Sequence, residues 1–455
     1  GYRREFETAE ALKALRQSAG SDDDNSNSYH GNKALVVENH QVRLSVIVST
    51  EAGQTAIAPG VLVDAWEENN RKYYKYQPIR PVPAAYSIAS ARYETARDKW
   101  NDVNLEIYYH PKHSYNLERM MEGMKDALSF YSEIYGPYPF GQLRIVEFPK
   151  YSMHKESFAG TIPFSEGLGF ILKIDDHTDD LDVCYYQTVH EVAHQWWDPL
   201  TLVAQEPDRP FQKEGFAQFS ALMAIRNEFS EETVRRFLKY DVDQYLSGRT
   251  KEGVRENSLD NATQGQSYIY YNKAAVAFNI LQDFLGPGAV AQSFAALLGR
   301  SADSSVQVKD NFVDQIKELT PDSLQYVITD VFERVTLFDN KATYAFFKRL
   351  PDDRYEVSLT FSSKKYQMDS LGNEVKVPLY DWVDIGVYTK NSDGKVALTH
   401  LEKVHINSEE NKIKIVVNEL PIKAGVDPLN KFIDKNGADN VIGTSESQIT
   451  SGFFF

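Results

Sequence analysis

The stretch His190-Glu191-Val192-Ala193-His194 decides how the central part of this chain folds. On an α-helix, residues four apart differ by about 40° around the axis and by about 6 Å along it, so both imidazoles would face one point. The surrounding residues 185–197 contain neither Gly nor Pro, and acidic residues precede them, as is usual at the start of a helix. The sequence therefore predicts a helix whose two imidazoles are ligands of one zinc ion, Zn2+.

A third ligand is expected on the next helix along the chain. Catalytic zinc sites usually have three protein ligands and leave the fourth position to water. Residues 210–228 have a helical pattern that begins with Pro210, and Glu214 lies in the second turn of this predicted helix. A connection over 199–209 would allow the two helices to run antiparallel. We therefore predict His190, His194 and Glu214 as the metal ligands.

Glu191 lies beside the predicted ligand face rather than on it. Bound zinc lowers the pKa of water to about 7, and a nearby carboxylate can take that proton as the water attacks a carbonyl, then pass it to the leaving amine. The pattern thus predicts hydrolysis of an amide bond with Glu191 as general base. The alternative is that both histidines are buried and bonded to backbone carbonyls, with Glu191 exposed to solvent.

The composition indicates a folded, acidic protein. Of its 455 residues 42% are hydrophobic and 25% charged, which is ordinary for globular domains, and the formal net charge of −16 argues against a nucleic-acid partner. A single cysteine, Cys184, excludes an internal disulfide, and we expect its thiol to be buried and inert.

The order of residue patterns predicts an α+β multidomain chain. Strand-like alternation comes first, helical spacing dominates the middle, and alternation returns near the end. The predicted segments are a helical lead-in and flexible acidic tether (1–33), an N-terminal β domain (34–114), an α-helical catalytic domain (115–350), a C-terminal β-sandwich (351–440) and a tail (441–455).

The central segment resembles the gluzincin metallopeptidases of the aminopeptidase N family. The resemblance covers roughly 116–350 and implies a thermolysin-like zinc peptidase domain, in which Tyr271 is the phenol that stabilises the oxyanion. It also implies that His190, His194 and Glu214 bind zinc and that Glu191 is the general base. The residues that carry it are TVHEVAHQW at 188–196, KEGFA at 213–217, YGPYP at 135–139 and YNKA at 271–274.

A likeness over nearly the whole chain is to the peptidase domain associated with bacterial ABC transporter permeases. It implies an ABC transporter permease as partner. It also implies that this chain is a soluble fragment of a protein anchored in the bacterial cell membrane by spans before Gly1, with the extracytoplasmic side favoured. The stretches that carry it include GYRREFET at 1–8, TAIAPG at 55–60, SFAGTIPFSEGLGF at 157–170 and AGVDP at 424–428.

The substrate-binding strand departs from the aminopeptidase pattern. The family's Gly-x-Met-Glu-Asn is absent, its Glu position falls at Ser157, and the nearby carboxylate is Glu156. Neighbouring strand residues face opposite sides, so Glu156 could anchor a substrate α-amine only after a slip or bulge of one residue. Glu156, Ser157 and Gly160 are the substrate-binding candidates, with a solvent-facing Glu156 as the alternative.

Two functions follow from these residues. The first is a zinc-dependent, aminopeptidase-like peptidase that hydrolyses peptide substrates, with exopeptidase and endopeptidase action both open. The second is a catalytically silent, zinc-holding module that captures a peptide or partner for a transporter. Tyr271 has core packing as its alternative role, because Tyr268 and Tyr270 are close by.

Other residues are given structural roles. Trp196 and Trp197 are expected to pack the motif helix onto the core. The acidic loop 175–180 is a weak calcium candidate because it lacks the spacing of a calcium-binding loop. Six further histidines lack ligand spacing and are expected to be surface or hydrogen-bonded residues; they are His110, His113, His154, His177, His400 and His405.

Overall fold

The computed structural model describes residues 41–149, 156–174, 181–197, 210–263, 265–301, 312–391 and 393–447. The predicted lead-in and tether, the acidic loop 175–180, His154 and most of the predicted tail lie outside these residues. The chain divides into two compact units. The first comprises the described residues up to Phe237 together with Pro287–Ile316, and the second comprises Leu238–Gly286 and the described residues from Lys317 onward.

Strands occupy both ends of the described chain. Those of the first unit are β1 Gln41–Val42, β2 Val46–Glu51, β3 Thr55–Ile57, β4 Val61–Glu68, β5 Arg71–Gln77, β6 Val82–Pro83, β7 Ala89–Ala91, β8 Glu94–Trp100, β9 Val103–Tyr109, β10 Gln142–Phe148 and β11 Thr161–Ser165. Those of the second are β12 Thr336–Arg349, β13 Tyr355–Met368, β14 Glu374–Val377, β15 Asp381–Lys390, β16 Val396–Ile406, β17 Glu410–Val417, β18 Leu420–Val426, β19 Val441–Gly443 and β20 Ser445–Glu446.

Helices fill the middle of the chain. The α-helices are α1 Leu117–Tyr135, α2 Val183–Trp197, α3 Phe216–Glu228, α4 Glu231–Lys251, α5 Ala274–Leu285, α6 Pro287–Ser301, α7 Phe312–Glu318 and α8 Gln325–Ile328. Within the described residues, π-helical turns occur at Phe211–Gly215, Ile269–Lys273 and Thr329–Glu333. Short 3₁₀ turns occur there at Leu259–Asn261, Asp322–Leu324 and Gly437–Asp439.

A four-stranded sheet supports the central helices of the first unit. Its order is β11-β10-β9-β8, with β9, β10 and β11 parallel and β8 antiparallel to β9. Strand β10 is buried along almost its whole length, as is typical of a parallel strand covered on both faces. Because the three strands are parallel, their carboxyl ends lie at the same edge of the sheet.

Helices α1, α2 and α3 pack against one another in the first unit. Gly123 lets α1 approach α2 closely, because a Cβ there would lie 3.2 Å from Cγ2 of Thr188. The Tyr131 hydroxyl donates to the carbonyl of Val189 at 3.1 Å, a bond that also joins α1 to α2. Predicted core roles for Trp196 and Trp197 are confirmed, since both side chains are buried and their indole N–H groups donate to Gly136 and Ser220.

Two sheets enclose the apolar core of the second unit. One has the order β14-β13-β12-β20, with β17 also paired to β13, and the other has the order β16-β15-β18-β19. Alternate residues of β13 are buried, as expected for a strand with one face on a core. The core includes Val357, Leu359 and Phe361 from the first sheet and Val383, Ile385, Val387, Ala424 and Val426 from the second.

The described chain is thus a mixed helix and sheet protein with β-rich N-terminal and C-terminal regions. The predicted segment 115–350 draws on both compact units. Its thermolysin-like arrangement stays a prediction, as do the boundaries of the five predicted segments.

Candidate metal centre

The motif lies on α2, which begins two residues before the predicted helix and ends where the sequence pattern places its end. Asp182 accepts the backbone N–H of Tyr185 at 2.8 Å, so its carboxylate satisfies a donor that the first helical turn leaves unpaired. His190, Glu191 and His194 are 0%, 1% and 3% exposed, respectively. The alternative to catalysis given above expected Glu191 to be exposed to solvent, and that expectation is wrong.

Glu214 follows a different local geometry from the one expected. Instead of one continuous α-helix over 210–228, the chain makes a π-helical turn at Phe211–Gly215 and then forms α3. Single π turns are rare and occur often at functional sites, because the extra residue in the turn redirects a side chain. The Glu214 side chain is 15% exposed and its carboxylate points at the two imidazoles of α2.

The three predicted ligand atoms form a nearly regular triangle. Nε2 of His190 and Nε2 of His194 are 3.2 Å apart, and Oε2 of Glu214 lies 3.5 Å and 3.2 Å from them. Three ligands about 2.0–2.1 Å from a tetrahedral zinc ion are separated from one another by about 3.3–3.4 Å. Two imidazoles and one carboxylate are also a donor set of catalytic zinc sites. These residues fit one zinc ion.

Glu191 lies beside this triangle. Its Oε1 is 3.8 Å from Nε2 of His190, a longer separation than those among the three ligand atoms. The side chain is buried with the ligands and belongs to the same helix. The arrangement therefore leaves Glu191 next to the metal position without requiring it as a ligand.

The surroundings of Glu214 favour the ionised form of its carboxylate. Burial raises the pKa of Glu214, but the charge of His194 and hydrogen bonds from both imidazoles lower it by more, so the pKa lies well below its ordinary value. Burial lowers the pKa of His194, and the Glu214 carboxylate raises it by more. An ionised carboxylate beside two imidazole nitrogens is a donor set that a bound metal ion can satisfy.

The segment before β11 is bonded to the motif helix through Gln195. The Gln195 side-chain amide donates to Oγ of Ser157 at 2.7 Å and accepts the backbone N–H of Gly160 at 2.8 Å. The Ser157 hydroxyl donates in turn to the carbonyl of Glu191 at 3.0 Å. No local sequence pattern indicates this role of Gln195, because its partners lie more than 30 positions away along the chain.

The substrate-binding candidates therefore have different surroundings. Ser157 is buried and its hydroxyl contacts the helix backbone, whereas Glu156 is exposed. Gly160 has a left-handed backbone, with φ of 68°, and a Cβ there would lie 2.7 Å from the carbonyl oxygen of Gln142. The position thus requires glycine on two grounds. Roles of these three residues in substrate binding stay predictions.

Tyr271 belongs to the second unit. It lies in the π-helical turn Ile269–Lys273 that leads into α5, and its side chain is half-buried. Its ring centroid is 5.0 Å from that of Tyr270. The oxyanion role of Tyr271 stays a prediction.

The thiol of Cys184 is buried, as the sequence predicted. The thiol is fully buried, and burial raises its pKa far above the ordinary value, so the reactive thiolate is disfavoured.

Comparison with known proteins gives a consistent result. Residues 119–334 match the sequence model of the Peptidase family M1 domain. Human endoplasmic reticulum aminopeptidase 2 is 27% identical over 199 residues, which cover 40% of this chain and 20% of that protein. The chain therefore spans about a fifth of the length of this curated relative.

Solved structures share the fold. Aminopeptidase A from Legionella pneumophila, in complex with aspartic acid, has a TM-score of 0.56 at 14% identity, covering 87% of this chain and 45% of that chain. The M1 zinc metallopeptidase from Deinococcus radiodurans has a TM-score of 0.50 at 16% identity. The match covers 65% of this chain and 64% of that chain.

The two imidazoles and one carboxylate fit one zinc ion. The family model, the human aminopeptidase and the solved structures to which this chain is similar are all of peptidases. The segment 119–334 is similar to the M1 peptidases, the aminopeptidase N-like gluzincins. Among the helices that the structure describes, none is both long enough and apolar enough to cross a membrane.

Replacing Glu214 tests the ligand triangle. We expect Glu214→Ala to lose the zinc ion of this triangle, because two imidazoles alone hold it far more weakly than three ligands do. Zinc per chain, measured by plasma mass spectrometry after dialysis against a weak chelator, is the readout. The control is Glu228→Ala, an exposed carboxylate at the end of α3 that should leave the zinc content unchanged. Equal zinc loss in both variants would contradict the assignment.

Replacing Gly160 tests the conformation of the segment before β11. We expect Gly160→Ala to lower the free energy of unfolding by about 1–3 kcal/mol, from the left-handed backbone and the close carbonyl of Gln142. Gly53→Ala is the control, since an added Cβ there would lie 4.0 Å from Nε of Arg92, which is an ordinary van der Waals distance. Urea denaturation measures both, and equal stabilities would show that this geometry is not required.

Proposed function

We propose that this chain is a zinc-dependent peptidase in which His190, His194 and Glu214 hold the ion and Glu191 is the general base. The observation that carries the proposal is the triangle of ligand atoms, with sides of 3.2, 3.2 and 3.5 Å, in a buried site beside a second carboxylate. The family match of residues 119–334 supports the same chemistry.

The proposed mechanism relies on proton transfer by Glu191. His190, His194 and Glu214 would hold the zinc ion, which when bound would supply Lewis acidity toward the scissile carbonyl and a water molecule. The Glu191 carboxylate takes the proton of that water during attack and then gives it to the amine that leaves. Burial of Glu191 favours this role, since charge interactions are stronger where water is excluded.

We further propose that the substrate is an extended peptide lying along β11. In the described part of its sheet, β11 is an edge strand, and Pro163 within it is a residue that sheets tolerate mainly at edges. An edge strand offers backbone groups to which a peptide can pair. The bonds from Gln195 and Ser157 to the adjacent segment would keep this edge in a fixed position relative to Glu191.

The proposal for Tyr271 is that its phenol donates to the developing oxyanion. Such donors are commonly the largest single contribution to catalysis in acyl transfer. Support comes from the resemblance carried by YNKA at 271–274 and from the π-helical turn that contains the residue.

A silent binding module is the second candidate function. The observation that favours it is at Ser157, where a buried hydroxyl bonded to the helix backbone replaces the carboxylate that anchors a substrate amine in the aminopeptidase pattern. The stretches that resemble permease-associated peptidases favour an ABC transporter permease as the partner and a membrane-anchored full-length protein. The buried Glu191 argues for catalysis instead, because a binding module does not need a proton carrier.

Glu191→Gln separates the two functions. We expect this variant to keep its zinc but to lose turnover of a fluorogenic peptide by at least about a hundredfold, because the amide cannot accept the proton. Zinc content and kcat are measured on the same sample, with Glu118→Gln on α1 as a control that leaves both unchanged. Wild-type turnover in Glu191→Gln would show that the base is another group.

A peptide panel defines the substrate class. Because Ser157 supplies no carboxylate and Glu156 is exposed, we expect N-acetylated peptides to be cleaved as well as free ones. Matched pairs of fluorogenic peptides, free and acetylated, give the ratio of kcat/KM. Cleavage of free peptides alone would contradict this expectation and indicate an amine anchor, and cleavage of neither with zinc bound would favour the binding module.

A further inference from the structure

A second group of metal-binding side chains lies in the first unit, at the carboxyl edge of its four-stranded sheet. His113 follows β9, Glu147 is near the end of β10, and Glu166 comes directly after β11. These three strands are parallel neighbours, so their ends bring the three side chains together. The carboxyl ends of parallel strands are where open sheets commonly bind ligands.

The ligand atoms of this group are close to one another. One atom from each of His113, Glu147 and Glu166 lies within 4.8 Å of the others. Nδ1 of His113 contacts Oε1 of Glu147 and lies 3.9 Å from Oε2 of Glu166. Ligand atoms around one tetrahedral ion are separated by about 3.3–3.4 Å, so these separations are of the right order for a shared ion.

The charge of the group is unbalanced. Two carboxylates face one imidazole, so even a protonated His113 would leave one negative charge, and Glu147 is only 4% exposed. Buried charges are normally paired or bound to metal. A divalent cation would neutralise both carboxylates and let His113 bind as a neutral ligand.

The surroundings hold the central carboxylate in place. The backbone N–H of His110 donates to Oε2 of Glu147 at 2.5 Å, which leaves Oε1 directed at His113. A turn closed by the N–H of His113 and the carbonyl of His110 fixes the loop that carries the imidazole. Hydrogen bonds of this kind orient the ligands of metal sites in proteins.

We propose that His113, Glu147 and Glu166 bind a second divalent transition-metal ion, of the zinc or manganese type. One imidazole and two carboxylates match the preferences of these ions. The site is structural, because it links the ends of β9, β10 and β11. His113 is hydrogen-bonded to Glu147, which agrees with its expected role as a surface or hydrogen-bonded residue. The sequence shows no ligand spacing around His113 because the other two candidate ligands lie 34 and 53 positions further along the chain.

Counting zinc ions tests the second site. The 455-residue protein is stripped with a strong chelator, reloaded with excess Zn2+, desalted and analysed by plasma mass spectrometry. We expect two zinc ions per chain in the wild type, one in His113→Asn, one in Glu214→Ala and none in the double variant. The Glu214→Ala sample reports the second site by itself, so this test does not depend on the proposed peptidase activity.

Controls keep the result interpretable. His400→Asn removes a histidine whose Nε2 lies 3.4 Å from the Glu402 carboxylate, and should retain two zinc ions. Glu166→Gln, at the more exposed end of the group, should fold normally by circular dichroism and bind the second ion roughly tenfold or more weakly.

Several outcomes would overturn the proposal. One zinc ion in the wild type that is lost in Glu214→Ala means that the second site does not bind. Two ions in both the wild type and His113→Asn mean that the second ion is elsewhere. Metal should also raise the melting temperature of Glu214→Ala but not of the double variant, since an ion that binds only the folded state stabilises it; no difference between them would count against the site.

Discussion

The meeting of two imidazoles and one carboxylate in a buried triangle is the constraint on which the centre of the first unit depends. Burying polar nitrogen and oxygen atoms is costly unless they have partners, so the helices around His190, His194 and Glu214 must hold them where one cation can satisfy all three. The close approach at Gly123 and the bond from Tyr131 to Val189 fix α1 against α2. The packing of α1 against α2 thus helps to fix the positions of the two histidine ligand atoms.

The four-stranded sheet positions both the segment beside the motif helix and the side chains at the carboxyl ends of its parallel strands. Its outer strand β11 follows the segment that Gln195 bonds to the motif helix, so sheet and helix are linked next to Glu191. At the carboxyl ends of β9, β10 and β11 the same parallel arrangement brings together His113, Glu147 and Glu166. One sheet therefore positions both a candidate peptide edge and a candidate metal site.

The features that could be predicted from the sequence are those that depend on local residue periodicity. Two histidines four apart on a helix without Gly or Pro had to share a face. The alternation that returns near the end of the chain had to give strands, and β13 and β17 are two of them. What escaped prediction depends on distant partners or on backbone detail. The π-helical turn at Glu214 differs from an α-helix by one hydrogen-bond register, and the Glu147 carboxylate reaches His113 only because the sheet is parallel.

The central claim is that one zinc ion sits inside the first triangle. A crystal of the zinc-loaded protein, with diffraction recorded on both sides of the zinc absorption edge, tests it most directly. If the ion is there, we expect an anomalous peak about 2.0–2.1 Å from Nε2 of His190, Nε2 of His194 and a carboxylate oxygen of Glu214. A map with no peak at this point, from protein that has been soaked in zinc and still folds, would contradict it.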